Sequence, residues 1–234
     1  AHRQSADVDI YFIANQQEKK RSLEISLRVE GRIPELWNPV TGEIKTDNSW
    51  IVSEGRTKMN IELNPNESCF IVLQTPTKEL SGKAKEPEVA KSIEISTPWS
   101  VSFDQEMRGP ENSVKFEKLT DWSAHENDSI KYYSGTAVYR NNFKFSVTSG
   151  ERYFIQLEDV ANLAEVKING VDCGIVWTYP YRVDVTKALK SGKNDIEIAV
   201  VNTWANRVMG DEDFGIEKDD SKKIWTNARY RLAN

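Results

Sequence analysis

The strongest constraint on this 234-residue chain is the spacing of its apolar residues, which recur at every second position in short runs. The clearest runs are Leu23 to Val29, Met59 to Leu63 and Ile196 to Val200. A period of two is typical of a β-strand that buries one face, whereas a helix repeats every 3.6 residues. Because no long amphipathic helical pattern occurs, we predict an all-β protein.

The strand pattern is interrupted between residues 78 and 92, where the sequence KELSGKAKEPEVAKS offers little to bury. We predict that this segment is a linker. It would separate a small antiparallel β-sandwich, residues 1–77, from a second β domain, residues 93–234. Within the second domain, Asn169–Gly170 lies between two strand-like runs and predicts a tight hairpin. A single helical turn is predicted at residues 185–190.

Composition excludes several classes of function. The chain has 31 basic and 36 acidic residues, a net charge of -5, which argues against nucleic-acid binding through bulk charge. No run approaches the 18 apolar residues of a membrane-spanning helix, so membrane insertion is not expected. The N-terminus lacks the apolar core of a signal peptide, so either the protein is not exported or the chain is a processed or truncated piece.

The aromatic residues are more informative than the ionisable ones. Seven Trp and eight Tyr accompany only two His, a balance typical of packing or sugar stacking. His2 and His125 lie far apart and have no ligand spacing, so a zinc site is not expected. Cys69 and Cys173 fall in different predicted domains, and we expect two free, mostly buried thiols.

An ordered set of short motifs occupies the segment from Tyr153 to Trp204. The motifs are VKING at 166–170, VDCG at 171–174, PYRVDVT at 180–186, LKSGKN at 189–194 and VVN at 200–202. Together with YYSGTAVYR at 132–140, this order resembles the sugar-binding jelly roll of family-two glycoside hydrolases. The resemblance implies a galactose-binding-like β jelly roll over residues 93–234. It also implies that a structural calcium ion can accompany the fold, while no other cofactor is expected.

Two upstream segments, residues 7–16 and 34–43, are similar to the region that follows the catalytic domain in large bacterial α-L-rhamnosidase-type enzymes. This resemblance implies the C-terminal accessory region of such an enzyme, without its catalytic barrel. It also implies export to the periplasm or cell surface, and either carbohydrate or the missing catalytic domain as partner. Those enzymes continue beyond the region matching residues 225–227 into a final strand, so the jelly roll here is expected to lack that strand or end differently.

Side chains suited to sugar recognition cluster in the loop-like sequence after residue 176. Sugar C–H faces stack on aromatic rings, and sugar hydroxyls bond to amides and guanidinium groups. The predicted carbohydrate-binding residues are Trp177, Tyr179, Tyr181, Arg182, Trp204, Asn206 and Arg207. For Trp177 and Trp204 the alternative is that they plug the ends of the core. Trp37, Trp50 and Trp99 are expected to pack in the core or between domains.

No catalytic residue is assigned. Glycoside cleavage needs two carboxylates, roughly 5 to 10 Å apart. The candidate pair Glu158 and Asp159 would point to opposite faces of a strand, and the set Asp211, Glu212 and Asp213 lies in an apparent polar loop. No nucleophile elbow, P-loop or dinucleotide fingerprint occurs.

We therefore expect a non-catalytic accessory part of a glycoside hydrolase. The alternatives are a stand-alone carbohydrate-binding module and an active glycosidase with paired carboxylates. An accessory part is expected to expose an apolar patch near residues 1–15, and a free-standing module is not.

Overall fold

The computed structural model describes residues 1–84 and 91–213. Every strand pair in this part of the chain is antiparallel, and only two short α-helices and one 3-10 turn interrupt the strands. The predicted all-β class is confirmed. The chain divides into two compact units, Ala1–Ser92 and Ile93–Asn234. No helix in the described ranges is long and apolar enough to cross a membrane.

The first unit is a sandwich of two antiparallel sheets. Its strands are β1 His2–Ser5, β2 Val8–Ala14, β3 Arg21–Leu27, β4 Arg32–Trp37, β5 Ile44–Lys45, β6 Trp50–Ser53, β7 Arg56–Leu63, β8 Ser68–Pro76 and β9 Ser81–Gly82. One sheet has the order β1-β2-β8-β4-β5, and the other has the order β3-β7-β6-β9. Side chains from both sheets form one core, which includes Leu27, Trp50, Met59, Ile61, Leu63, Ile71 and Leu73.

Strand β7 shows why the alternating pattern builds this core. Met59, Ile61 and Leu63 are buried, whereas Asn60 and Glu62 between them are exposed. Successive side chains of a strand point to opposite faces, so a polar residue at every second position keeps one face in water. The strand predicted here is confirmed.

The segment predicted to be a linker begins inside this sandwich. Strand β9 pairs with Trp50 and Ile51 of β6, and Val52 donates its backbone N–H to the carbonyl of Leu80 at 2.7 Å. Gly82 lies against the Trp50 indole, where a Cβ would come within 2.2 Å of Nε1. The first unit thus extends beyond residue 77. The polar composition of residues 78–92 does not predict strand β9. This strand is held by backbone hydrogen bonds, and the lack of a side chain at Gly82 leaves room for the Trp50 indole.

The second unit combines a six-stranded sheet with a two-stranded ribbon. Its strands are β10 Trp99–Phe103, β11 Val114–Phe116, β12 Thr136–Phe145, β13 Phe154–Gln156, β14 Leu163–Ile168, β15 Val171–Val176, β16 Arg182–Asp184 and β17 Gly192–Val201. The large sheet has the order β11-β10-β12-β17-β14-β15, and β13 pairs with β16. The helices are α1, Asp128–Lys131, and α2, Ala205–Asp213, and the 3-10 turn is Trp122–Ala124.

Local sequence explains the connections of this unit. Asn169 and Gly170 both have positive φ, 52° and 79°, so the predicted tight hairpin between β14 and β15 is confirmed. The helical turn predicted at 185–190 is a turn without a helix. There, the Thr186 hydroxyl accepts a hydrogen bond from the backbone N–H of Tyr153 at 2.9 Å. Trp50 and Trp99 are buried, as predicted, whereas Trp37 is only partly buried and belongs to neither core.

Replacing Ile71 by Ala tests the packing of the first unit. Ile71 is fully buried between neighbours of both sheets, so the lost contacts and the cavity should cost about 2 to 5 kcal/mol. We expect amide hydrogen exchange in β7 and β8 to accelerate by more than about 30-fold. Ile51→Ala is the matched control, because Ile51 is 54% exposed. Equal exchange in both variants would contradict this packing.

The two thiols offer a test of burial through reactivity. Desolvation, aided by the negative charge of Glu67, raises the pKa of the Cys69 thiol from 9.0 to about 11. Since the thiolate is the reactive form, Cys69 in a Cys173→Ala variant should react with a disulfide reagent at pH 8 about 100-fold more slowly when folded than when unfolded. Equal rates in buffer and in denaturant would show that Cys69 is accessible.

Candidate functional site

The site lies at one end of the six-stranded sheet, and the strand register places its parts. Val176, the last residue of β15, pairs with Ala164 of β14, and Ala164 also pairs with Val200 of β17. The chain therefore leaves β15 and β17 at the same end of the sheet, two strands apart. Trp177 follows β15 directly, and Trp204 lies three residues beyond β17.

Three aromatic side chains are exposed at this end of the sheet, which we call the aromatic end. Trp177 is 58% exposed, Trp204 is 64% exposed and Tyr179 is 37% exposed. The alternative that Trp177 and Trp204 plug the core is therefore wrong. An exposed indole leaves a large apolar surface in water, on which the apolar face of a ligand can stack.

The loop between β15 and β16 is held from both sides. Tyr181 donates its backbone N–H to the carbonyl of Thr178 at 2.9 Å, and its own carbonyl accepts from the backbone N–H of Leu157 at 2.9 Å. The Tyr181 side chain packs against the core, with its ring edge-on to Tyr179 at a centroid distance of 6.3 Å. Of the two predicted tyrosines, Tyr179 is thus the exposed one, and Tyr181 supports it.

Arg182, at the start of β16, lies on the outer face of the two-stranded ribbon. Its guanidinium is 3.9 Å from the ring centroid of Phe154 and remains exposed. On the same face Arg152 forms an ion pair with Asp184 at 2.9 Å. Burial opposes ionisation of Asp184, but hydrogen bonds from Thr186 and Arg152 outweigh it and lower the pKa of this carboxyl. The ribbon therefore carries an ordered layer of charged side chains.

Asn206 and Arg207 lie on helix α2, so the predicted loop is wrong at these positions. The Asn206 side chain donates to the carbonyl of Lys131 at 3.2 Å, and the Arg207 backbone N–H donates to the Ser134 hydroxyl at 3.0 Å. The Arg207 guanidinium pairs with Asp211, one helical turn later, at 2.9 Å. These bonds use both residues to hold α2 against segment 131–134.

Among the described residues, the candidate carboxylates do not form a catalytic pair. Asp211, predicted in a polar loop, lies on α2 and contacts both Arg207 and, at 3.4 Å, Arg108. Glu158 and Asp159 follow β13 in an exposed stretch of chain. The side chains of residues 212 and 213 and the segment 225–227 lie outside the described residues.

The ionisable side chains do not form a metal site in the part of the chain that the structure describes. Within residues 1–84 and 91–211, no group of three or more His, Cys, Asp or Glu side chains is arranged to hold a metal ion. The structural calcium ion stays a prediction that no described carboxylate cluster supports.

Asn202 supports the candidate site through its hydrogen bonds, and the sequence pattern assigned it no role. Its side-chain amide donates to the carbonyl of Tyr133 at 2.8 Å, and its oxygen accepts from the backbone N–H of Gly135 at 2.9 Å. One side chain thus ties the start of β12 to the loop that carries Trp204. In the sequence, the feature that could have indicated this role is the Asn that ends the VVN motif at 200–202.

Comparison with known proteins agrees with this architecture. Residues 115–227 match the family model described as glycosyl hydrolase 2 galactose-binding domain-like, and residues 1–49 match the model of alpha-L-rhamnosidase. The second unit is a galactose-binding-like domain of the glycoside hydrolase type. Both resemblances predicted from the sequence are confirmed.

Individual relatives are much longer than this chain. A rhamnosidase from Novosphingobium sp. PP1Y is 34% identical with a TM-score of 0.85, over 93% of this chain and 21% of that one. A Formosa agariphila protein named "Putative beta-glucuronidase" is 39% identical over 170 residues, which are 69% of this chain and 14% of that protein. A "Beta-glucuronidase" from the same organism is 36% identical over 81 residues, 33% of this chain and 8% of that protein. The chain thus spans about a fifth or less of each relative.

Gly210→Ala tests whether helix α2 packs against Tyr132. A Cβ at this position would lie 2.7 Å from Cβ and Cγ of Tyr132, a buried residue with little room to move. We expect the second unit to lose about 1 to 3 kcal/mol in urea unfolding. In an exposed helix the same change would stabilise by about 1 kcal/mol, so a gain in stability would show that α2 is not packed against Tyr132.

Proposed function

We propose that this chain is a non-catalytic accessory part of a glycoside hydrolase, and that its galactose-binding-like unit binds carbohydrate at the aromatic end. The observation that carries the proposal is the exposure of Trp177, Tyr179 and Trp204 at one end of one sheet. Rings in such a position can stack on the C–H faces of a sugar, while neighbouring polar groups bond to its hydroxyls.

The described carboxylates support an accessory role over a catalytic one. Asp211 is already paired with two guanidinium groups, those of Arg207 and Arg108. Glu158 and Asp159 are adjacent residues in an exposed stretch of chain. Hydrolysis would then belong to the remainder of a longer protein.

A free-standing binding module is the alternative, and the first unit argues against it. Ile10 and Phe12, within the first fifteen residues, are 36% and 38% exposed. Exposed apolar residues of this kind are what an accessory part leaves where another domain packs. Action in the periplasm or at the cell surface belongs to the same proposal, since polymeric glycans are met there.

The relatives suggest which glycans to test first. Their names, rhamnosidase and beta-glucuronidase, concern sugars that contain rhamnose or glucuronate. A glycan array that includes both classes, followed by titration calorimetry, would identify a ligand for this chain. We expect binding that weakens by at least about tenfold in Trp177→Ala and in Trp204→Ala, because each change removes a stacking surface.

Val171→Ala is the matched control for these variants. Val171 is 50% exposed at the opposite end of β15, next to the 169–170 hairpin, so its loss should leave binding unchanged. Failure of the unmodified chain to bind any glycan would favour a purely structural role. Unchanged affinity in a Trp177→Ala/Trp204→Ala double variant would remove the aromatic end as the site.

A further inference from the structure

The outer face of the five-stranded sheet in the first unit carries several apolar side chains. Tyr11 and Ile13 of β2 and Ile71 and Leu73 of β8 point into the core. The residues that alternate with them therefore point away from it. These outward residues include Ile10, Phe12 and Phe70, which keep part of their surface exposed, and Val72, which is buried.

The strand register aligns one apolar side chain from each of four strands into a single row. Phe12 pairs with Phe70, Phe70 with Trp37, and Trp37 with Ile44. At the usual strand spacing this outer row is roughly 14 Å long. The rings of Phe12 and Phe70 are 5.0 Å apart, and the end members Phe12 and Ile44 are 38% and 50% exposed.

A buried carboxylate lies beside the outer row. Glu35 is only 5% exposed, although its position between Pro34 and Leu36 directs it to the outer face. It accepts hydrogen bonds from three neutral donors, the Trp37 indole at 3.0 Å, the Gln74 amide at 3.1 Å and the Thr75 hydroxyl at 2.7 Å. Among the residues that the structure describes, none forms an ion pair with Glu35.

We infer that the outer row is the surface on which this chain docks against the remainder of its parent glycoside hydrolase chain. The inference rests on the proposed accessory role. This chain corresponds to 21% of the Novosphingobium rhamnosidase and 14% of the Formosa relative, so at least about four fifths of such a protein is available to cover the row. The opposing surface would be apolar, with a basic side chain facing Glu35 to complement its charge.

Two other occupants fit the outer row less well. A glycan needs polar groups to hold its hydroxyls, but the row itself is apolar, and the donors around Glu35 are already bonded to it. A second copy of this chain, paired through the same face by two-fold symmetry, would bring two Glu35 carboxylates into one apolar interface.

The test compares this 234-residue chain with the longer parent chain that the proposed accessory role implies. Hydroxyl-radical oxidation measures side-chain access, and we expect Phe12 and Trp37 to react at least fivefold more slowly in the longer chain. In that longer chain, Ile44→Ser should restore their reactivity. Ile51→Ser should not restore it. Ile51 is the matched control, since it is 54% exposed on the other sheet.

Several results would overturn the assignment. One is equal oxidation of Phe12 and Trp37 in the two chains, and another is a gene that encodes no further domain. Protection of Phe12 in this chain alone, with a dimer in sedimentation analysis, would assign the row to a second copy, and protection by added glycan would assign it to carbohydrate. The proposed glycan site is tested with variants of Trp177 and Trp204, whereas the docking surface is tested through oxidation of Phe12 and Trp37. A negative result for one proposal can therefore be told apart from a negative result for the other.

Discussion

The pairing of β12 with β17 is the interaction on which the second unit depends. Ten successive residue pairs, from Thr136 with Val201 to Phe145 with Gly192, join these strands at the centre of the six-stranded sheet. The ladder fixes where the chain leaves β17, and β14 and β15 take their register from it. Asn202 and helix α2 then close the same end by bonding to the segment before β12. A site built from separate loops is thus positioned by one ladder.

The sequence predicted the strands better than the helices because the two depend on different information. Alternation in β7 and the Asn169–Gly170 turn are local, so a period and a backbone preference were enough. Helix α2 depends on partners distant in sequence, such as Ser134 for Arg207 and Tyr132 for Gly210, which no local pattern shows.

The candidate site, too, could be predicted only as far as local sequence information reaches. Residue type singled out Trp177, Tyr179 and Trp204, but whether an indole at a strand end turns inward or outward is decided by tertiary packing. A continuous apolar run such as Cys69–Leu73 in β8 is typical of a strand buried on both faces. Val72 is buried on the outer side of this strand, whereas Phe70 is only partly buried there. The outer row could not be predicted from the sequence, since it requires the register of four strands.

The order of the strands separates what is fixed in this fold from what can vary. β15 and β17 run in the same direction because each is antiparallel to the β14 strand between them. The segments after them, 177–181 and 202–204, therefore emerge side by side, while the 169–170 hairpin lies at the far end. Lengthening or shortening either segment would reshape the aromatic surface without shifting one strand against another. The loops at this end can thus vary in length and shape while the sheet that carries them stays the same.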